Sequence, residues 1–201
     1  MFHVLEAHVH RSLDGLGVRC RYNAVVDFAG ELDAVLAFLE QNGFRAAVIG
    51  GVALAVYGNP RLTLDLDVVT EASAQGTLIA FMEARGFDTL HRSAGYSNHL
   101  HPRRERGRVD FMYVRDQTAD RIFAATSALP GPGGRMIPVP KPEHLIAMKV
   151  QAMTDAPERI WQDLVDIAWL LRVDGVNRDE AHGYFVRAGL EEKWRELTQG
   201  L

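Results

Sequence analysis

The sequence predicts an α/β (α+β) protein, in which a mixed sheet flanked by helices is followed by a C-terminal helical bundle. Three observations predict it. Short strand-like runs, continuous and apolar at 46–49 and further at 62–69, 87–91, 97–101 and 108–114, are interleaved with stretches whose apolar residues recur at helical spacing. Pro130-Gly131-Pro132-Gly133-Gly134 then breaks the pattern as a turn-rich connection. From Pro142 onward the apolar spacing is helical to the end of the chain. The division falls near residues 130–140, with a mixed-sheet portion over 1–135 and a helical portion over 136–201.

Composition sets the outer bounds. The 201 residues are 47% hydrophobic and 24% charged, which is ordinary globular usage, and a chain of this size buries about 70% of its extended surface. No apolar run approaches the roughly 18 residues of a membrane span. Met1-Phe2-His3-Val4-Leu5-Glu6 has no basic start leading into an apolar stretch. A soluble, cytoplasmic protein without a membrane partner is the expectation. The net charge of −4 argues against a surface coated for non-specific nucleic-acid binding, while leaving room for a local basic site. The single Cys20 excludes an intramolecular disulfide and a multi-cysteine zinc cluster, and is read as a packed or surface thiol.

Each element has its own warrant. In the first 26 residues, His8-Val9-His10 and 18–22 alternate like short strands around Asp14-Gly15. Leu32, Val35, Leu36 and Leu39 fall on one face of a helix over 31–41. A short buried strand at 46–49 stops at Gly50-Gly51, and a helix over 52–57 ends at Gly58-Asn59-Pro60. A helix over 73–85 buries Leu78, Ile79, Phe81 and Met82. Met136 to Val139 reads as a further strand. Helices follow from Pro142, a good first-turn residue, and over 160–171, 177–188 and 191–197.

The stretch 62–69 carries the chemistry. Strand side chains alternate faces, so Thr63, Asp65 and Asp67 share one face and Leu62, Leu64, Leu66 and Val68 the other. Two aspartates side by side on a strand repel and disfavour the strand itself. A divalent cation would offset them, since Mg²⁺ takes carboxylate and phosphate oxygens. Asp110 faces away from Val109, Phe111 and Tyr113 on a strand that could pair beside the first. Three carboxylates around two ions about 3.5–4 Å apart make a two-metal site for phosphoryl or nucleotidyl transfer. The plainer reading is a polar face paired with arginines. Gly50-Gly51, between a strand and a helix, would let backbone N–H groups approach a phosphate. The chain has no Gly-Lys-Ser/Thr, so this is not a Walker-type loop.

Ile49-Gly50-Gly51-Val52-Ala53-Leu54 … Gly58 … Arg61-Leu62-Thr63-Leu64-Asp65-Leu66-Asp67 resembles the core motif of DNA-polymerase-beta-like nucleotidyltransferases, in the branch of AbiEii-type toxins and their MenT relatives. The resemblance covers about residues 30–172. It takes in Val109-Asp110-Phe111, Pro138-Val139-Pro140 … Leu145-Ile146-Ala147-Met148-Lys149, and Arg159 … Asp163-Leu164-Val165-Asp166. It implies a nucleotidyltransferase-type mixed sheet and a set of roles. Gly50 and Gly51 would cradle the triphosphate of an NTP. Asp65 and Asp67 would bind two Mg²⁺ ions, with Mn²⁺ as an alternative. Asp110 would bind the catalytic ion and orient or deprotonate the acceptor hydroxyl. Lys149, Arg61 and Arg159 would meet phosphate charge, Asp163 would hold Lys149 or touch the nucleotide, and Thr63 joins the nucleotide-binding set. Gly51 stands where many such enzymes have serine, and Gln162 where a lysine often precedes the aspartate. The first 26 residues have no counterpart.

Other constellations are read more plainly. His99 and His101 share a strand face and are taken as solvated rather than metal-binding, with His91 nearby. Arg103-Arg104-Glu105-Arg106-Gly107-Arg108 is a solvated hairpin turn or, so close to Asp110, an electrostatic guide for phosphates. Trp161 and Trp169 are read as core residues on one helix.

The expected activity is metal-dependent transfer of an NMP from an NTP to an acceptor hydroxyl. The resemblance favours RNA, such as the 3′ end of tRNA, as the acceptor, and the toxin of a toxin–antitoxin pair, with an antitoxin protein as partner. An aminoglycoside-like small hydroxyl compound is the nearest enzymatic alternative. A non-catalytic nucleotide- or RNA-binding protein of the same fold is the reading from another class.

Overall fold

A computed structural model of the chain describes residues 28–59, 63–131 and 134–199. The strands read at 8–10 and 18–22, Cys20 and Arg61 lie outside the described residues.

The main sheet has five strands: β1 (Ala46–Ile49), β2 (Asp65–Glu71), β3 (Asp88–Arg92), β4 (Tyr96–Leu100) and β5 (Arg108–Val114), in the order β1-β2-β5-β4-β3. Only β2 and β5 run parallel; β1–β2, β3–β4 and β4–β5 are antiparallel. β6 (Thr126–Pro130) and β7 (Met136–Pro140) form a separate two-stranded ribbon, whose β7 packs against β1.

Eight α-helices complete the described chain: α1 (Phe28–Gln41), α2 (Gly50–Val56), α3 (Gln75–Ala84), α4 (Asp116–Ala124), α5 (Pro142–Asp155), α6 (Ile160–Leu170), α7 (Arg178–Arg187) and α8 (Glu191–Thr198). The apolar face of α1 is buried at Leu32, Val35, Leu36 and Leu39. Pro142 occupies the first turn of α5, where its missing N–H costs no hydrogen bond. The side chain of Asn177 accepts from the Glu180 amide and caps α7. One contiguous core runs from α1 through Leu66, Val68, Val109 and Phe111 of the sheet to Ile146, Ile167 and Phe185 of the later helices. No helix of the described residues is long and apolar enough to cross a membrane.

The structure shifts several expected elements. β2 starts at Asp65, not Leu62, because its pairing with β5 begins at Asp65 opposite Arg108, and β1 ends opposite Asp67. Leu64 therefore precedes the strand and is 66% exposed instead of buried. α4 and most of β6 fall between 114 and 130, where the sequence pattern predicts no element. Ala119 and Ile122 of α4 are buried against Ala47, Val69 and Val114. In the glycine–proline stretch, Pro130 ends β6 and the Gly131 amide donates to the Arg135 carbonyl at 2.7 Å, while Pro132 and Gly133 lie outside the described residues. Trp161 is 73% exposed, whereas the Trp169 indole N–H donates to the Tyr57 carbonyl at 3.3 Å.

Candidate active site

Residues opposed on neighbouring strands share a face of the sheet. Asp67 lies opposite Asp110 and Asp65 opposite Arg108 on the parallel pair β2–β5, while Asn98 of β4 lies opposite Asp110. The other face of the same strands is buried at Leu66, Val68, Val109 and Phe111. The three aspartates thus stand together on one face. Asp67, Asp110 and Asn98 line a cleft of about 310 Å³. Gly50 and Gly51 also line it, as do Lys149, Asp163 and Arg159 of the helical portion. Asp65 and Thr63 stand beyond the cleft lining, and Arg61 is outside the described residues.

The glycine pair is dictated by what packs on it. Gly50 has φ +60°, a left-handed value that favours glycine. A Cβ built on it would run into the Asp67 carboxylate. A Cβ on Gly51 would collide with the Thr63 side chain, at 2.6 Å from Oγ1. The space that a serine at 51 would need is therefore filled by Thr63, whose hydroxyl donates to the Asp65 carbonyl at 3.1 Å.

Charge in the cleft is unevenly balanced. Burial, with the neighbouring carboxylates of Asp110 and Asp65, pushes the Asp67 carboxyl up to about 6; Lys149 and Arg108 pull it back in part. The Arg108 guanidinium donates to Asp110 Oδ1 at 2.8 Å, and this hydrogen bond holds the arginine pKa above its ordinary value. Lys149 Nζ donates to Asp163 Oδ1 at 3.0 Å and to Asp166 Oδ2 at 2.6 Å. Both aspartates are 2% exposed, one turn apart on α6. Asp163 Oδ2 is buried and without a hydrogen-bond partner among the described residues. Gln162, where a lysine often precedes the aspartate, is exposed and is not among the residues that line the cleft.

A divalent cation fits the chemistry of this donor set. Oxygen-only ligands suit Mg²⁺ or Mn²⁺, and the Asp67 carboxyl, raised mainly by burial and further by Asp110 and Asp65, is a carboxylate that a bound cation would favour in its charged form. The carboxylates are not gathered as they stand: among the described residues no group of three acidic, histidine or cysteine side chains is already close enough to hold an ion. Arg108, bound to Asp110, is the internal cation that would have to yield.

Sequence reasoning missed three contributors. Arg108 was read only as part of a basic run, yet it grips Asp110. Asp166 shares Lys149 with Asp163, and the Asp-x-x-Asp spacing of α6 was its signal. Asn98 carries no signal, since only its pairing with Asp110 brings it here. The histidine expectation is corrected. His99 and His101 are buried on the far side of β4 and beyond its end. Ser97 Oγ lies 2.9 Å from His99 Nε2, and burial holds the His99 pKa below its ordinary value. His101 Nδ1 accepts from the Arg103 amide at 3.0 Å, and its Nε2 lies 3.0 Å from Arg106 Nη1. In the basic run, Arg106 also pairs with the buried Glu31, at 2.5 Å, while Arg103 and Arg104 are exposed.

A mixed sheet carrying carboxylates on adjacent parallel strands beside a glycine turn is the architecture of nucleotidyltransferases, and solved structures bear out the fold. The antibiotic-resistance factor ANT(2″)-Ia aligns with TM-score 0.60 at 15% identity, covering 84% of this chain and 94% of its own. The lincosamide antibiotic adenylyltransferase LnuA aligns with TM-score 0.54 at 18% identity, over 75% of this chain and 99% of its own. An antigenic nucleotidyltransferase-like protein from Paracoccidioides brasiliensis aligns with TM-score 0.55 at 16% identity, over 85% and 89%. Residues 38–197 match the model of the nucleotidyl transferase AbiEii toxin family of type IV toxin–antitoxin systems, and the chain belongs to that family. No curated protein matches the sequence significantly.

Proposed function

We propose that this protein is a divalent-metal-dependent nucleotidyltransferase, which moves an NMP from an NTP to an acceptor hydroxyl and acts on RNA as the toxin of a toxin–antitoxin pair. The observation that carries the reading is the register of β2 and β5. It sets Asp67 opposite Asp110, with Asp65 two residues away on the same face, at the cleft that Gly50 and Gly51 open.

The backbone N–H groups of Gly50 and Gly51, first-turn amides of α2 with no partner within the helix, bind the triphosphate. Lys149 and Arg159, which line the same cleft, neutralise phosphate charge. Asp65, Asp67 and Asp110 would hold Mg²⁺ or Mn²⁺, which supplies charge neutralisation at the phosphates and acidifies the acceptor hydroxyl. Asp110 Oδ2, the oxygen not taken by Arg108 Nε, accepts the hydroxyl proton. The acceptor oxygen then bonds to the α-phosphorus as the bond from that phosphorus to the bridging oxygen breaks, and pyrophosphate leaves with the electron pair. Arg108, released from Asp110, stays beside the departing phosphates. Positioning and electrostatics supply most of the rate.

The family match supports the toxin role, and RNA is the acceptor that the sequence resemblance favours. A structure of ANT(2″)-Ia holds adenylyl-2″-tobramycin, and LnuA has been solved with lincomycin; a small hydroxyl compound is therefore the competing acceptor. The test incubates the protein with α-labelled NTPs and Mg²⁺, once with total RNA and once with aminoglycosides and lincosamides. Label passes to RNA in the wild type and to nothing in Asp67→Asn or Asp110→Asn. NTP binding by calorimetry without any labelled product would establish the non-catalytic binder instead.

A further inference from the structure

The nucleotide cleft does not end at Asp110. The face of β5 that carries Arg108 and Asp110 continues to Met112 and Val114, and there a second cavity of about 530 Å³ opens. The two cavities share Tyr96, Met112 and Met148, so they are consecutive compartments of one trough along β5. The second has a buried apolar floor of Val114 and Ile122. Arg121 and Arg187 stand exposed at its rim. Arg187 lies over the Tyr184 ring at 4.7 Å, which makes a flat, cationic platform. No aspartate or glutamate lines the cavity among the described residues. Two carboxylates touch lining residues from behind: Glu180 is bound by Lys141 at 2.6 Å and by the Tyr184 hydroxyl at 2.9 Å, and Asp155 accepts from Gln151 at 3.0 Å. His144 Nδ1, on the cavity wall, is buried with no partner among the described residues.

We infer that this second cavity is the acceptor site, and that it takes a nucleotide unit whose base lies on the Tyr184–Arg187 platform and whose phosphate meets Arg121 and Arg187. The inference rests on the nucleotidyltransferase reading for what happens at the first compartment, and adds where the acceptor sits and what class it is. The shared wall of Tyr96, Met112 and Met148 joins this compartment to the one that Asp110 lines. Apolar floor, planar cation and paired rim charges match a flat anion. They reject a polycationic aminocyclitol, which would need carboxylates that the cavity does not offer. Burial, and Lys141 beside it, hold the His144 pKa below its ordinary value.

Such a unit is either the end of an RNA strand or a free mononucleotide, and the experiment has an arm for each. Binding of a short fluorescent single-stranded RNA is followed by anisotropy across a salt series. Transfer from α-labelled NTP is followed in parallel to that RNA, to AMP and CMP, and to tobramycin. The variants are Arg121→Ala/Arg187→Ala on the surface and Ala147→Phe, which fills the cavity; NTP affinity by calorimetry is the control. Both variants are expected to weaken RNA binding about tenfold or more while NTP affinity stays within twofold. The double variant should also lower the slope of log K against log salt by about 0.7 per lost contact. The same losses in AMP or CMP transfer, with RNA untouched, identify the free mononucleotide as the source. Loss of RNA binding in the variants of a protein that transfers nothing would refute the transfer reading and leave the site standing. Unchanged binding and transfer in both variants, transfer to tobramycin alone, or a wild type that binds neither RNA nor mononucleotides, would overturn the site.

Discussion

Asp67 links function to a cost in stability. Its carboxyl is pushed up to about 6, mainly by burial, against an ordinary value of 3.8. The folded protein therefore holds this proton more tightly than the unfolded chain does. The contribution is full below about 3.8 and is lost as pH rises through about 6, which removes roughly 2–3 kcal/mol by neutral pH. With divalent ions chelated, Asp67→Asn should raise Tm at pH 7.5 and leave it nearly unchanged at pH 4, as read by thermal melts. The same variant should lose NMP transfer. A lower Tm at pH 7.5 would remove the electrostatic account. Lys149 presents the opposite case. Lys149→Met leaves Asp163 and Asp166 buried without their cation, a loss of roughly 3–5 kcal/mol. Urea denaturation should show it as a lower midpoint, with Lys149→Arg recovering part.

The turn between β1 and α2 works through contacts made by a distant segment. Gly50→Ala puts a Cβ at positive φ and against Asp67, costing roughly 1–3 kcal/mol of strain; weakened NTP binding by calorimetry is the expected readout. Gly51→Ser should behave differently. Alone it collides with Thr63 and reduces NTP affinity, whereas Gly51→Ser/Thr63→Ala makes room and recovers it. A double-mutant cycle should show a favourable coupling of roughly 0.5–3 kcal/mol. If Thr63→Ala fails to relieve Gly51→Ser, the steric explanation of the glycine pair is wrong. At the same scale, the buried Glu31 of α1 receives Arg85 from the end of α3 and Arg106 from the β4–β5 connection. This explains why part of the basic run is structural.

Across the whole molecule, the helices that supply Lys149 and Asp163 share one core with the sheet that supplies the aspartates. Leu145, Ile146 and Val150 of α5 pack into the same cluster as Val48, Leu66 and Phe111. Calorimetric unfolding should therefore give one transition, with van't Hoff and calorimetric enthalpies equal. Two resolved transitions would show that the cleft lies between independently stable parts, and would predict that its walls separate before the sheet melts.

Local patterns were the legible part of this molecule. Alternation at Asp65, Leu66, Asp67 and Val68, the break at Gly50-Gly51 and the helical spacing after Pro142 are properties of neighbouring residues, and they identified the sheet, the carboxylate face and the family motif. Pairing decided the rest. Asp110 and Asn98 meet the glycine turn only because β5 lies between β2 and β4, an order that no short-range pattern encodes. Leu64 and Trp161 are as apolar as their buried neighbours, yet the sheet and the helix packing leave them in solvent. His99 and His101 are as polar as surface residues, but the opposite face of β4 buries them against Ser97 and Arg106. Sequence determines which side chains share a face, because backbone geometry is periodic. Only the tertiary structure decides what that face meets, because burial and charge pairing depend on partners far along the chain.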